Sequence, residues 1–288
     1  VKKDACIRPT RYGTTRRSHP AIARQAATYH PSRHRRSLLL ILPPALAIGA
    51  LCTVNLAAHG RFAISPFGNV FLLARVIYDG PGMAVLRRDC PATGWRLCPF
   101  LDRFPPTSDD FLWSSGSPLN LAGGPKAVSQ DAGAIIKAAL LSDPAGELRA
   151  ALANTLEQLH RFNSGDGLEP WPEQVSPWIE HDFPVAERAA YEAALQQAGR
   201  LAIPPELATL HKLASLAGVA GCLLLLPLAI RRRAPCTGFL LAVLLTLPVS
   251  AAITGSLSAP HDRYQSRIMW LPPFVAVVSL ASLNRRPL

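Results

Sequence analysis

The segment Pro260-His261-Asp262-Arg263-Tyr264-Gln265-Ser266-Arg267 sets an imidazole, a carboxylate, a phenol and two guanidinium groups directly before an apolar block. Polar groups at a membrane boundary carry a desolvation cost, so they tend to be paired or useful. Arg263 and Arg267 stand at i and i+4 and share one face if the segment is helical. Such a face can hold a lipid phosphate bidentately, with His261 or Asp262 transferring a proton. The alternative is a salt-bridged cap, through which Asp262 and the arginines dock a large neighbouring loop on the apolar helices. Both readings stay open on the sequence.

Other candidate groups are more dispersed. Asp109-Asp110, in Thr-Ser-Asp-Asp-Phe-Leu-Trp113, is a paired carboxylate able to bind a metal or act as a base, and equally a common helix N-terminus or exposed turn. His160 and His181 read as exposed or satisfied histidines as readily as ligands. Asn163-Ser-Gly-Asp-Gly167 suggests a tight turn and lacks the downstream acids of a calcium loop. No Walker, dinucleotide-binding, zinc-protease or serine-elbow motif occurs, so no metal site is expected and the sequence identifies no cofactor, leaving it unknown.

Four uncharged apolar blocks must position these groups: residues 37–58, 213–230, 237–257 and 268–283. Each is long enough, or nearly so, to cross a hydrocarbon core of roughly 30 Å at about 1.5 Å per residue. Every block contains proline (Pro43 and Pro44, Pro227, Pro248, Pro272 and Pro273), which frees carbonyls that a neighbour must satisfy. None carries a charge at mid-depth, which counts against an ion or proton path.

The net charge of +11 divides unevenly. Residues 1–36 carry ten Lys/Arg against Asp4, whereas the loop 59–212 holds thirteen basic and seventeen acidic residues. Basic flanks remain cytoplasmic, so the tail, Arg231–Arg233 and Arg285–Arg286 are expected inside and the long loop outside. Arg263 and Arg267 dissent from that rule. The tail reads as a disordered topology signal or an anionic-lipid contact, and no specific nucleic-acid partner is expected. Because residue 1 is Val and residues 1–36 show no helical or strand periodicity, two readings stay open: a natural reading frame that extends upstream, or a tail that is an artefact of start assignment.

Of six cysteines, only Cys90 and Cys98 fall in the long loop. In an oxidising compartment such a lone pair is expected to form a disulfide, with Pro91 and Gly94 favouring the reversal between them. The loop reads as a mainly helical domain. One helix is expected after an N-cap at Ser65, ending at Gly80-Pro81. Others are expected over 126–141, over 144–162 capped by Asp143, and over 184–199. In the helix over 144–162, Leu148, Leu152, Leu156 and Leu159 form one apolar face. Trp113, Trp171, Trp178, Phe100, Phe104 and Phe111 argue for ordered connections; they can pack beneath loops, grip a sugar or lie at lipid headgroups.

Asn55-Leu-Ala-Ala-His-Gly60, Ser65-Pro-Phe-Gly-Asn-Val-Phe-Leu-Leu-Ala-Arg75, Asp79-Gly-Pro81, Phe111-Leu-Trp113 and Pro260-His-Asp-Arg-Tyr-Gln265 resemble a group of uncharacterised bacterial inner-membrane proteins. That resemblance covers about residues 55–283 and implies the C-terminal portion of a longer polytopic protein. A weaker, architectural likeness is to membrane glycosyltransferases that use polyprenyl-phosphate sugars. Those place an acid just after their first span, whereas here the first acid after the first block is Asp79. The expectation is an all-α protein of the bacterial inner membrane: a polytopic bundle of about four spans with a helical periplasmic domain. Its partners would be membrane lipids, among them a polyprenyl-phosphate lipid, or an envelope protein. The leading function is a non-enzymatic envelope protein whose outer domain engages one of these; a lipid-linked transferase comes second and a transporter subunit third.

Overall fold

A computed structural model gives the backbone of residues 33–284 and the side chains of residues 41–284. Most of the basic tail (residues 1–32) and the Arg285–Arg286 flank lie outside the described residues. The chain is all-α, with α-helices, one 3₁₀ turn and no strand among the described residues. Among the described residues four stretches are long and apolar enough to cross a membrane, namely Ile41–His59, Pro205–Arg231, Thr237–Leu257 and Asp262–Asn284. They fit an integral membrane protein.

The chain divides after Pro66 into two compact units. The first contains α1 (Arg33–His59), which carries Pro43 and Pro44 internally. Beyond its end the Asn55 amide donates to the carbonyls of Ala63 (2.8 Å) and Ile64 (2.9 Å), and Arg61 donates to that of Pro66. Ser65 therefore lies in a turn and caps nothing, contrary to the sequence expectation.

In the second unit α2 (Gly68–Tyr78) follows Phe67, which supplies no side-chain cap. Gly80-Pro81 ends α2, as expected, but Pro81 also begins α3 (Pro81–Thr93). Its missing N–H and fixed φ suit a first helical turn, and Gly80 at φ 112° makes the 97° bend between the two helices. Gly82 is required beside it, because a Cβ there would meet Ile77 N at 2.8 Å.

A 3₁₀ turn (Cys98–Arg103) follows, tied to α3 by the Cys90–Cys98 disulfide. Then come α4 (Ser108–Trp113), α5 (Pro118–Leu121) and α6 (Gly124–Ser142). Leu73, Ile77, Leu86, Phe111, Leu119 and Ile135 fill the core these elements share. Burying such a side chain contributes about 1.5–3 kcal/mol. The aromatic expectation resolves mainly to packing: Phe104 stacks on Phe111, and Trp113 meets Phe71 and Trp171. Trp178 is exposed.

Asp143 caps α7 (Pro144–His160), its carboxylate accepting from Gly146 N–H at 2.8 Å. Two short helices follow, α8 (Pro172–Asp182) and α9 (Val185–Glu192), neither of which buries a residue. The helix expected to reach residue 199 stops at Glu192, because a helix this short needs tertiary packing to continue.

Three long apolar helices complete the unit: α10 (Pro205–Arg231), α11 (Thr237–Leu257) and α13 (Leu271–Asn284), the last preceded by the single turn α12 (Asp262–Ser266). They meet through small residues, as membrane helices do. A Cβ on Gly218 of α10 would fall 2.3 Å from Pro273 N of α13. Pro273 cannot donate to the Met269 carbonyl four residues back, and Ser215 Oγ donates to it instead at 3.4 Å. The buried face of α11 is a continuous stripe of Leu240, Val243, Leu247, Ala251 and Gly255.

Candidate functional site

The elements meet at the segment that joins α11 to α13. His261 is extended, and its backbone is gripped by Gln158 of α7. The Gln158 Oε1 accepts the His261 N–H at 2.9 Å, and its Nε2 donates to the His261 carbonyl at 2.9 Å. One residue on, the Asp262 carboxylate accepts from the Asn163 N–H at 2.6 Å. Asp166 then takes both the backbone N–H of Arg263 (2.8 Å) and its guanidinium (3.1 Å). In this way Asp166 satisfies one of the open N–H groups at the start of α12 from a different part of the chain. The Arg263 guanidinium lies 5.3 Å from the Tyr264 ring centre, and the His261 ring meets Tyr264 edge-on. Buried Gln265 anchors the far end, its Nε2 donating to the Leu247 carbonyl at 3.1 Å.

The paired aspartates of α4 separate in role. Thr107 and Asp110 form a reciprocal cap, the Thr107 hydroxyl accepting from Asp110 N–H (3.1 Å) and donating to its carboxylate (2.6 Å). Asp109 instead points at His261, with 3.5 Å between Oδ1 and Nε2. The His261 imidazole beside it, helped by the more distant charge of Arg263, holds the Asp109 carboxyl below its ordinary value against the opposing effect of burial. A carboxylate beside an imidazole can orient the ring.

The structure thus brings together Asp109, His261, Asp262 and Arg263 from the sequence-stated candidates. It leaves Asp110 in a helix cap and Arg267 exposed. Arg263 is committed to Asp166, so the two arginines do not converge on a shared empty position. His160 is exposed at the end of α7, and His181 is exposed beside Asp182. No cluster of three or more His, Cys, Asp or Glu suited to a metal occurs among the described residues.

Against this junction opens a cleft of about 540 Å³, lined in part by Arg161, Ser164, Asp166, Glu169, His261 and Asp262. Three carboxylates face one guanidinium and one imidazole there. Ser164 Oγ also shares a hydrogen bond of 2.8 Å with Nδ1 of His211, on the first turns of α10. A hydroxyl bonded to an imidazole is the first link of a nucleophile–base pair, but no carboxylate bonds His211 among the described residues. Sequence reading missed Gln158, Asp166, Ser164 and His211. Only Asp166 and Ser164 carried a signal, since both fall in the Asn163–Gly167 turn. No protein-family model, no curated protein and no solved structure matches the chain.

Proposed function

We propose that this chain is a non-enzymatic binding protein of the bacterial inner membrane, whose outer helical layer is latched to the spans and engages a lipid or an envelope protein. The observation that carries this reading is the use of the candidate groups on one another. Gln158, Asp166 and the Asn163 amide hold His261, Asp262 and Arg263 in a closed polar latch between the loop and the α11–α13 segment. Groups so engaged position a surface; they are not free to bind a phosphate. The periplasmic placement of the loop rests on the distribution of basic residues, and the likeness to the bacterial inner-membrane group accords with it.

A second reading, the lipid-linked transferase, draws on one specific observation. His261 stands next to Asp109 and lines an open cleft, so it is placed to exchange a proton with a bound substrate. One experiment separates the two. Arg263→Ala and Asp166→Asn are made singly and together, and both thermal stability and retained polyprenyl-phosphate lipid are measured on the purified protein. The latch predicts that each single change lowers stability, that the two effects do not add, and that lipid retention is unchanged. Unaltered stability with loss of a bound polyprenyl phosphate in Arg263→Ala would overturn the latch and install the transferase.

A further inference from the structure

Helix α7 is inside out for a helix in water. It buries Glu147 and Gln158, 4 % and 0 % exposed, while Leu148, Leu152 and Leu156 are 62 %, 55 % and 61 % exposed. Its polar residues Arg149, Glu157 and His160 form a separate exposed strip about a quarter-turn away at roughly 100° per residue. The leucine strip between them carries no charge.

The position of α7 supplies the reason. Gln265 bonds the carbonyl of Leu247, so α12 packs at the level of Leu247 rather than at the end of α11. From there α11 continues ten residues to Leu257, about 15 Å at 1.5 Å per residue. Within the Asp262–Asn284 stretch the continuous helix is α13 alone, whose 14 residues reach only about 21 Å of a hydrocarbon core roughly 30 Å thick. Over the stretch of α11 that α13 leaves uncovered, α7 takes its place. A Cβ on Gly255 would fall 2.6 Å from the Asn154 carbonyl, Phe162 packs with Leu247, and Glu147 and Leu148 share a cleft with Ser256 and Leu257. The two helices run antiparallel along one stripe, whose lower half faces α10 and α13 and whose upper half faces α7. On the outward side of the same stretch, α11 exposes Val249, Ile253 and Leu257. The exposed leucines of α7 extend that apolar surface.

We propose that α7 lies in the bilayer leaflet on the loop side, with Leu148, Leu152 and Leu156 against lipid acyl chains and the Arg149–His160 strip toward water. The membrane boundary then runs through the long loop instead of ending at α10 and α11, and α7 completes the short span as a half-membrane helix. Its polar residues are buried against protein because lipid cannot satisfy them. Glu147 pairs with Arg75 of α2, and Asn154 donates to Asp79 at 3.1 Å. The N-terminal turn of α7 lines a second cleft with Asp79, Asp143 and Arg149, through which Arg149 reaches water.

The test places a nitroxide on the full chain in phospholipid vesicles, through Leu148→Cys, Leu152→Cys and Leu156→Cys made one at a time. Arg149→Cys and His160→Cys serve as references. Cys6 is replaced by Ser, and the parent chain, whose Cys52, Cys222 and Cys236 are buried, is the blank. The proposal expects the leucine sites to collide more with oxygen than with a water-soluble nickel chelate, and the reference sites to reverse that order. Higher nickel contact at the leucine sites would place them in water. Low contact with both reagents would show that a protein partner or a second copy covers them. Either result overturns the proposal, and three independent sites guard against a single variant that fails to fold.

Discussion

Helices α6 and α7 are consecutive and similar in length, 19 and 17 residues, and both are amphipathic, yet they bury opposite kinds of residue. Helix α6 turns Val128, Ala132, Ile135 and Ala139 into a protein core. Helix α7 turns Glu147 and Gln158 inward and leaves its leucines outside. The comparison teaches that periodicity states which residues share a face, not which phase that face meets. An apolar face needs an apolar neighbour, and within the second unit Leu148, Leu152 and Leu156 stay more than half exposed. A polar face against protein needs partners, and α7 has them in Arg75, Asp79 and His261.

The sharpest way to break this contrast is through the buried charge on α7. Arg75 is bonded to Glu147, lies 2.7 Å from Asp79, and is 5 % exposed. Arg75→Ala is expected to cost about 3–5 kcal/mol, because Glu147 is left charged and buried; Glu147→Gln should cost less, because Asp79 still pairs with Arg75. Replacing both together, Arg75→Met with Glu147→Leu, should return most of that loss. Equilibrium unfolding in detergent measures it, and equal losses for the single and double replacements would show that the pair is not the cause.

The apolar faces come next. Ile135→Ala on α6 should cost about 2–5 kcal/mol through the cavity it leaves. Leu152→Ala on α7 should change stability in detergent by no more than about 0.5 kcal/mol. Comparable losses at the two sites would mean that α7 has a protein partner for its leucines.

Cys90→Ser with Cys98→Ser should cost about 2–3 kcal/mol by loss of a short closed loop. The change lies at the end of α3 against the shared core, so lipid contacts on α7 should be unaffected. Gln158→Leu should cost about 1–3 kcal/mol, because the backbone N–H and carbonyl of His261 lose their partner. Faster proteolysis within 258–267 would report the opened latch.

The smallest effect is that of pH. The Asp109 carboxyl is held below the ordinary aspartate value of 3.8, so its contribution is whole above that value. It is lost as the pH falls through the depressed folded value. Asp109 is about one-third exposed, so solvent screens the contribution. Asp109→Asn should flatten the acid limb of the stability profile slightly, and an unchanged limb would remove His261 as a functional partner.

The spans were legible because an uninterrupted apolar run leaves few alternatives, and α11 has the expected limits, Thr237–Leu257. Helix α10 begins eight residues earlier than expected, since Glu206, His211 and Lys212 break the apolar run without breaking the helix. The Cys90–Cys98 bridge and the Asp143 cap were also legible, each depending on residues close in sequence. Helices α3, α4, α5 and α8 were not, because short helices depend on contacts that local spacing does not reveal. The site was legible on one side only. The 260–267 segment stands out by its charge beside an apolar block, but its partners Gln158, Asp166 and Asp109 lie roughly 100 to 150 positions away. Nothing local marks Gln158 as the residue that grips His261. The leucines of α7 were visible as a face, while the lipid that we assign to them belongs to no part of the chain.

The most direct measurement uses a phospholipid carrying a diazirine in its acyl chain, photolysed in vesicles that contain the full chain, followed by tryptic mapping. Cleavage at Arg149 and Arg161 isolates residues 150–161, with Leu152, Leu156 and Leu159; cleavage at Lys126 and Lys137 isolates residues 127–137, the buried part of α6. The account predicts lipid adducts on 150–161 at a yield like that of the α11 span and none on 127–137. Adducts confined to the four apolar spans, with 150–161 unmodified, would contradict it.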